Sequence, residues 1–167
     1  ALPSSFTPAM RASDFGESFT FGVASAAFQV EGAWNIDGKA PSVWDAAAHR
    51  GRIEGGPVSD AAIDFYHRYA EDIALIASLG FKAKRLSLSW PRLLGNGAGP
   101  RNPKGIDFYN RVIDCCLEHG IEPWVTLFHW DLPLDLQRNG GFTNRAIVDL
   151  FADYAGVCAQ AFGDRVK

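Results

Sequence analysis

Polar and aromatic side chains follow three predicted strands, near the point where each strand ends. Gln29 and Glu31 come after the first strand, Arg85 lies on the second, and His129 and Trp130 end the third. An amide can bridge two neighbouring hydroxyls, a histidine adds a donor or an acceptor, and an indole offers a face to the C–H groups of a pyranose. An arginine fork holds a carboxylate ionised and oriented. These residue types therefore suit a sugar beside an anionic group.

Each of these residues also has an interpretation that needs no ligand. Glu31 could cap or bridge loops, and Arg85 could form a plain buried ion pair. His129 could be a core histidine whose ring nitrogens have hydrogen-bond partners, and Asp131 could have no role other than to start a turn. Four tryptophans are predicted to be core residues rather than ligand platforms: Trp34, Trp44, Trp90 and Trp124. Spacing alone thus predicts a small-molecule site and leaves its ligand open.

Strand and helix signals alternate along the chain. The strands are predicted at residues 20–24, 84–90 and 121–130, and residues 165–167 open a fourth. Helical periodicity covers residues 66–79, 109–117 and 147–162, and Gly80, Gly120 and Gly163 end these helices. Asn102 and Pro103 form a predicted N-cap pair, and the segment 38–57 is predicted to be loop.

This alternation predicts an α/β fold with a parallel sheet and right-handed crossovers. An open doubly wound sheet and a (β/α)8 TIM barrel both fit it. The second strand favours the barrel, because Arg85, Ser87 and Ser89 share one face and suit a polar lumen, whereas both faces of a doubly wound sheet are apolar. The chain supplies about three βα units and the start of strand four, so we expect residues 1–167 to be the N-terminal part of one barrel domain, with residues 1–14 as an N-terminal extension.

Composition narrows the classes of partner. The net charge of −3 and pI of about 5.8 argue against nucleic acid and against a polybasic membrane partner. No apolar run has the length of a membrane span, and the first eighteen residues lack the pattern of a signal peptide. Three cysteines without metal-ligand spacing predict packed, reduced thiols in a cytoplasmic protein with no bound metal: Cys115, Cys116 and Cys158.

Four stretches resemble glycoside hydrolase family 1, the β-glucosidase family. They are FTFGVASAAFQVEGAW, KRLSLSWPR, NPKGIDFYNRVIDCCLEHGIEPWVTLFHWDLP and NRAIVDLFADYAGVCAQAFGDRVK, which follow one another in the family's order and cover roughly residues 15–167. The resemblance implies a (β/α)8 barrel, retaining hydrolysis of β-glycosides and no cofactor. Lys84 departs from the pattern, since an aromatic residue usually precedes the arginine.

The resemblance also implies roles for individual residues. Gln29 is similar to the glutamine that holds two hydroxyls of the non-reducing sugar, and His129 and Trp130 to the pair that completes this subsite. Arg85 resembles the arginine that orients the catalytic nucleophile. Glu31 belongs to the family signature, and we expect a structural role for it. No Asp or Glu of the chain matches the acid/base or the nucleophile, which we expect beyond Lys167.

Three hypotheses follow. The chain could belong to a parent β-glucosidase that acts on β-glucosides or related β-glycosides, with a complementary C-terminal part of the barrel as its partner. It could instead be a non-catalytic sugar binder, or a partial barrel that associates with copies of itself through open sheet edges. We expect no turnover from the 167-residue chain alone, because a retaining glycosidase needs two carboxyl groups.

Overall fold

Three parallel strands and the helices on one side of them form the architecture. The computed structural model describes residues 11–54 and 56–167, without the side chains of residues 57 and 58. The strands are β1 (Gly22–Ala24), β2 (Ala83–Ser87) and β3 (Glu122–Thr126), in the order β1-β2-β3. Their register aligns Ala24 with Arg85 and Arg85 with Trp124, so these side chains share a face. Each strand is shorter than predicted.

Seven α-helices lie between and after the strands. They are α1 (Ala27–Val30), α2 (Val43–His49), α3 (Phe65–Ser78), α4 (Trp90–Leu94), α5 (Pro103–Glu118), α6 (Leu134–Arg138) and α7 (Ile147–Phe162) among the described residues. The long helices α3, α5 and α7 confirm the three helices that the apolar periodicity predicts. Asn102 caps α5 as predicted, because its side-chain oxygen accepts from the Lys104 N–H at 3.2 Å. Short 3-10 turns cover Ala12–Phe15, Gly56–Asp60 and Gly141–Thr143, and most of the predicted extension 1–14 lies outside the described residues.

Two local predictions are wrong. The predicted loop 38–57 contains α2, which begins with a capping box: Ser42 Oγ accepts from the Asp45 N–H at 3.1 Å, and Asp45 accepts from the Ser42 N–H at 2.6 Å. The second strand does not reach Trp90 but ends at Ser87, and Trp90 begins α4. Both short helices form where tertiary contacts hold them rather than where an extended apolar pattern predicts them.

The two faces of the sheet differ. On the helix side, buried side chains of β2 such as Leu86 pack under α3 and α5, and the Trp90 ring stacks on Tyr154 at 4.7 Å. On the other side, Trp124 is 49 % exposed, which contradicts its prediction as a core residue. Trp44 is also exposed, at 39 %, whereas Trp90 is fully buried. One covered face and one open face are what a segment of a barrel wall presents.

The last residue extends the sheet beyond β3. The Lys167 N–H donates to the Pro123 carbonyl at 2.9 Å, and the Lys167 carbonyl accepts from the Val125 N–H at 2.7 Å. Bonds to two alternate residues of one neighbour are the pattern of a parallel strand pair. The predicted opening of a fourth strand therefore lies beside β3.

Candidate functional site

One cleft of about 230 Å³ brings together three of the predicted site residues at the carboxyl ends of the strands. Gln29 comes from α1, and His129 and Trp130 come from the turn after β3. The remaining walls are small or apolar: Ala26, Phe28, Trp44 and Ile53. The cleft thus combines a few polar groups with broad apolar faces, which is typical of small-molecule sites.

Gln29 is held in place through β2. The Ser87 hydroxyl accepts from the Ala27 N–H at 2.8 Å at the start of α1, and the Arg85 carbonyl accepts from the Ser25 N–H at 3.0 Å. Because this contact is buried, the Ala27 N–H at the start of the helix would have no hydrogen-bond partner without Ser87. The short helix therefore starts at a fixed point of the sheet, and the exposed Gln29 side chain projects from it.

Arg85 does not line the cleft itself, but its side chain contacts His129, which does. Its Nη1 donates to His129 Nδ1 at 3.3 Å and to the Ser25 carbonyl at 3.4 Å. A guanidinium can only donate, so Nδ1 of His129 must be unprotonated in this contact. Neutral His129 then carries its proton on Nε2, which leaves that atom as a donor for a ligand.

Trp130 has an unusual backbone. Its φ is 70° and its side chain is 67 % exposed. The left-handed region costs a non-glycine residue roughly 1–2 kcal/mol, so other contacts must fix this turn. The Leu132 carbonyl accepts from the Val43 N–H at 2.9 Å, and the Leu134 N–H donates to the Pro41 carbonyl at 2.9 Å. This antiparallel bridge joins the turn after β3 to the segment that leads into α2.

A buried charged network lies beneath the cleft. Glu31 is 3 % exposed; it accepts from Arg92 Nε at 2.9 Å and from the Tyr109 hydroxyl at 2.6 Å. Tyr109 in turn accepts from the Ser89 N–H at 2.8 Å, and the Arg92 guanidinium lies 4.4 Å from the Tyr66 ring centre. Burial, and then the Glu31 charge, raise the pKa of Tyr109 well above its usual value, so it stays a donor. The expected structural role of Glu31 agrees with these contacts.

Asp131 directly follows the exposed Trp130 but is only 2 % exposed. Burial, and then the Glu31 charge, raise the pKa of Asp131 to about 7. The sequence pattern predicts a turn starter at Asp131 and indicates no role for Arg92 or Tyr109. Their partners lie far away along the chain, so no local pattern pointed to them.

The chemistry of the cleft has clear limits. The residues that line it include no carboxylate among the described side chains. Within the described ranges, no three His, Cys, Asp or Glu side chains cluster closely enough to hold a metal ion. The cleft can therefore bind a hydroxylated ligand, and any acid–base or nucleophilic carboxylate must come from elsewhere.

No helix in the described part of the chain has both the length and the apolar character to cross a membrane.

Comparison with known proteins agrees with this geometry. The sequence model described as "Glycosyl hydrolase family 1" matches residues 11–167. Beta-glucosidase 42 of Arabidopsis thaliana is 53 % identical over 163 residues, which are 96 % of this chain and 33 % of that protein. Beta-glucosidase A of Thermotoga maritima is 50 % identical over 159 residues, which are 95 % of this chain and 36 % of that protein.

The solved structure of the family 1 β-glucosidase from Thermotoga maritima superposes with a TM-score of 0.88 at 51 % identity, covering 90 % of this chain and 34 % of that one. A rice β-glucosidase in a covalent complex with Glc matches with a TM-score of 0.87 at 50 % identity, covering 90 % and 32 %. The match confirms the predicted barrel class, and the chain spans about a third of the length of these relatives. The chain belongs to glycosyl hydrolase family 1.

Proposed function

We propose that this chain is the glycone-binding, N-terminal part of a retaining β-glycosidase that hydrolyses terminal β-D-glucosides. The observation that carries the proposal is the convergence of Gln29, His129 and Trp130 on one cleft at the carboxyl ends of the strands. The similar proteins named above are β-glucosidases, and one of them holds Glc in a covalent complex.

Each residue has a distinct task in this proposal. The Gln29 amide bridges two adjacent hydroxyls, and His129 donates from Nε2 because Arg85 occupies Nδ1. The exposed Trp130 ring covers the C–H face of the sugar. Arg85 also orients the nucleophilic carboxylate, since its guanidinium keeps donors beyond the one that contacts His129.

The bond cleavage needs groups from outside this chain. Retaining hydrolysis uses an acid/base and a nucleophile about 5 to 5.5 Å apart, and the described cleft walls have neither. We propose that both carboxylates come from the rest of the barrel in a longer parent protein. The 167-residue chain alone then binds a sugar weakly and does not hydrolyse it.

The parent protein provides the test. We expect it to hydrolyse an aryl β-glucoside, and we expect His129→Ala to lower kcat/KM by about 10²-fold or more, because a polar contact to the sugar is lost. His119→Ala is the matched control, since His119 lies at the end of α5 and contacts the Cys115 carbonyl rather than the cleft. An inactive parent protein, or equal losses in both variants, would contradict the proposal.

A second proposal concerns the chain without its complement. The open face with Trp124 and the sheet edge at β1 favour association with the complementary part of the barrel or with a second copy. Light scattering and intact-mass spectrometry of the isolated chain test this, and a monodisperse 18.2 kDa monomer would contradict it. We also propose a cytoplasmic location, in keeping with the buried thiols of Cys115, Cys116 and Cys158.

A further inference from the structure

A small polar cavity of about 10 Å³ lies beneath the cleft, where the segments after β1, β2 and β3 meet. Ser89 and Asp131 line it, and their side chains are almost completely buried. Neither Ser89 Oγ nor Asp131 Oδ1 has a hydrogen-bond partner within the described part of the chain. A buried polar atom without a hydrogen bond lowers the stability of the fold. We therefore expect these two groups to bond to each other, directly or through the one water molecule that such a cavity admits.

The charges around Asp131 are already balanced without it. Arg92 pairs with Glu31 at 2.9 Å, and Lys39 pairs with Asp45 at 2.8 Å, both with almost fully buried side chains. Of these, Glu31, Lys39 and Asp45 line the same cavity, and Arg92 reaches it through Glu31. An ionised Asp131 would add one surplus negative charge to a buried, desolvated cluster, which is strongly unfavourable.

A neutral carboxylic acid resolves both problems. It adds no charge, and it has an O–H group that can donate to the hydroxyl oxygen of Ser89. The pKa of about 7 agrees with the charge balance, since burial and then the Glu31 carboxylate raise it. The backbone N–H of Asp131, the Lys39 ammonium group and the Ser89 hydroxyl oppose this rise only partly.

We propose that Asp131 is a positioning residue, which as a protonated acid bonded to Ser89 holds the turn of His129 and Trp130 in its ligand-binding form. The inference rests on the function proposed above. Trp130 keeps its left-handed backbone only if the turn is fixed on both sides, and Asp131 is the buried residue that directly follows it. Ionisation draws the carboxylate towards water, which displaces the turn and weakens sugar binding.

The pH dependence of KM in the parent protein tests this inference. We expect KM for an aryl β-glucoside to rise about tenfold between about pH 6 and about pH 9, more steeply than kcat changes, because ionised Asp131 loosens the binding turn. Asp131→Asn supplies an N–H donor of similar shape that cannot ionise, so its KM should stay low across this range. Asp135→Asn is the matched control, since Asp135 is exposed and paired with Arg138, and it should keep the profile of the unmodified protein.

A second measurement needs no substrate. Carboxyl ¹³C shifts of the parent protein should show one aspartate that titrates near pH 7, and Asp131→Asn assigns it. An Asp131 carboxyl that titrates below about pH 5 would overturn the inference, and so would an Asp131→Asn profile of KM equal to that of the unmodified protein. Loss of all hydrolysis in the unmodified protein would refute the proposed function alone, because the ¹³C titration still decides the state of Asp131.

Discussion

Neighbouring residues at the rim of the sheet differ sharply in their surroundings. Trp130 is 67 % exposed, and Asp131, the next residue, is 2 % exposed. Gln29 is exposed in the cleft, whereas Glu31, two residues later, is buried against Arg92. The exposed members line the open cleft with neutral groups, and the buried members are carboxyl groups held inside the protein.

This difference separates binding from stability. An exposed side chain makes few contacts inside the protein, so its loss should alter ligand affinity and leave the fold nearly intact. A buried charge is held by specific partners, so its loss should alter the free energy of unfolding first. Four substitutions in the parent protein test this division, from the largest expected effect on stability to the smallest.

Arg92→Met should have the largest effect. It leaves the Glu31 carboxylate buried without its 2.9 Å ion pair, which costs about 3–5 kcal/mol of unfolding free energy. Urea denaturation measures the loss. The control Arg138→Met removes an exposed pair with Asp135 and should cost less than about 1 kcal/mol. If Arg92→Met is as mild as its control, the network does not stabilise the fold.

Asp131→Asn should change how stability depends on pH. The folded pKa of about 7 exceeds the usual 3.8, so the folded state keeps a proton that the unfolded state has lost. Stability of the unmodified protein should therefore fall between about pH 4 and about pH 7, by about 2–4 kcal/mol. Denaturation at about pH 4 and at about pH 7 measures this fall in unfolding free energy, which the variant should lack. Parallel curves would show that Asp131 is ionised throughout.

Lys84→Met should be mildly stabilising. Lys84 is buried, lies 5.0 Å from the Phe65 ring centre and donates to Ser25 Oγ at 3.2 Å, and burial lowers the pKa of its ammonium group. Replacing a desolvated cation with an apolar chain of similar length should add about 1 kcal/mol near neutral pH. The gain should shrink in alkali, where the folded state loses the proton before the unfolded state does. Lys82→Met, at an exposed neighbour, should leave the melting temperature unchanged.

Trp130→Gly should hardly alter stability but should weaken substrate binding. Glycine accepts the φ of 70° without strain, and its larger loss of chain entropy offsets that gain, so the net change should stay below about 1 kcal/mol. KM should rise, because the exposed indole face is gone. A large loss of stability would instead show that this ring belongs to the core.

The sequence predicts the long elements and the exposed half of the site. Periodicity finds α3, α5 and α7 because each presents an apolar stripe over several turns. Gln29, His129 and Trp130 stand out because their side chains suit a ligand and follow strands. The capping box of Ser42 and Asp45 lies in a segment whose glycines and prolines predict a loop, so the short helix α2 was missed.

The buried half of the site was beyond local patterns. Arg92 and Tyr109 meet Glu31 only in the folded chain, across separations of 61 and 78 residues. The burial of the tryptophans could not be predicted from their neighbours either. Both Trp44 and Trp90 adjoin small or polar residues, yet Trp44 lines the cleft and Trp90 fills the core. Pairing of distant residues decides these roles, and one sequence does not encode that pairing in its spacing.

The bridge between Ser42 and Pro133 has a consequence for the order of folding. The adjacent pairs β1–β2 and β2–β3 each join strands that are consecutive in the chain, whereas the bridge joins residues separated by about half of the chain's length. Closing the longer loop costs more entropy unless the sheet has already drawn its ends together. We therefore expect the cleft to assemble late, so that a newly made chain acquires its barrel wall before it acquires the proposed sugar-binding cleft.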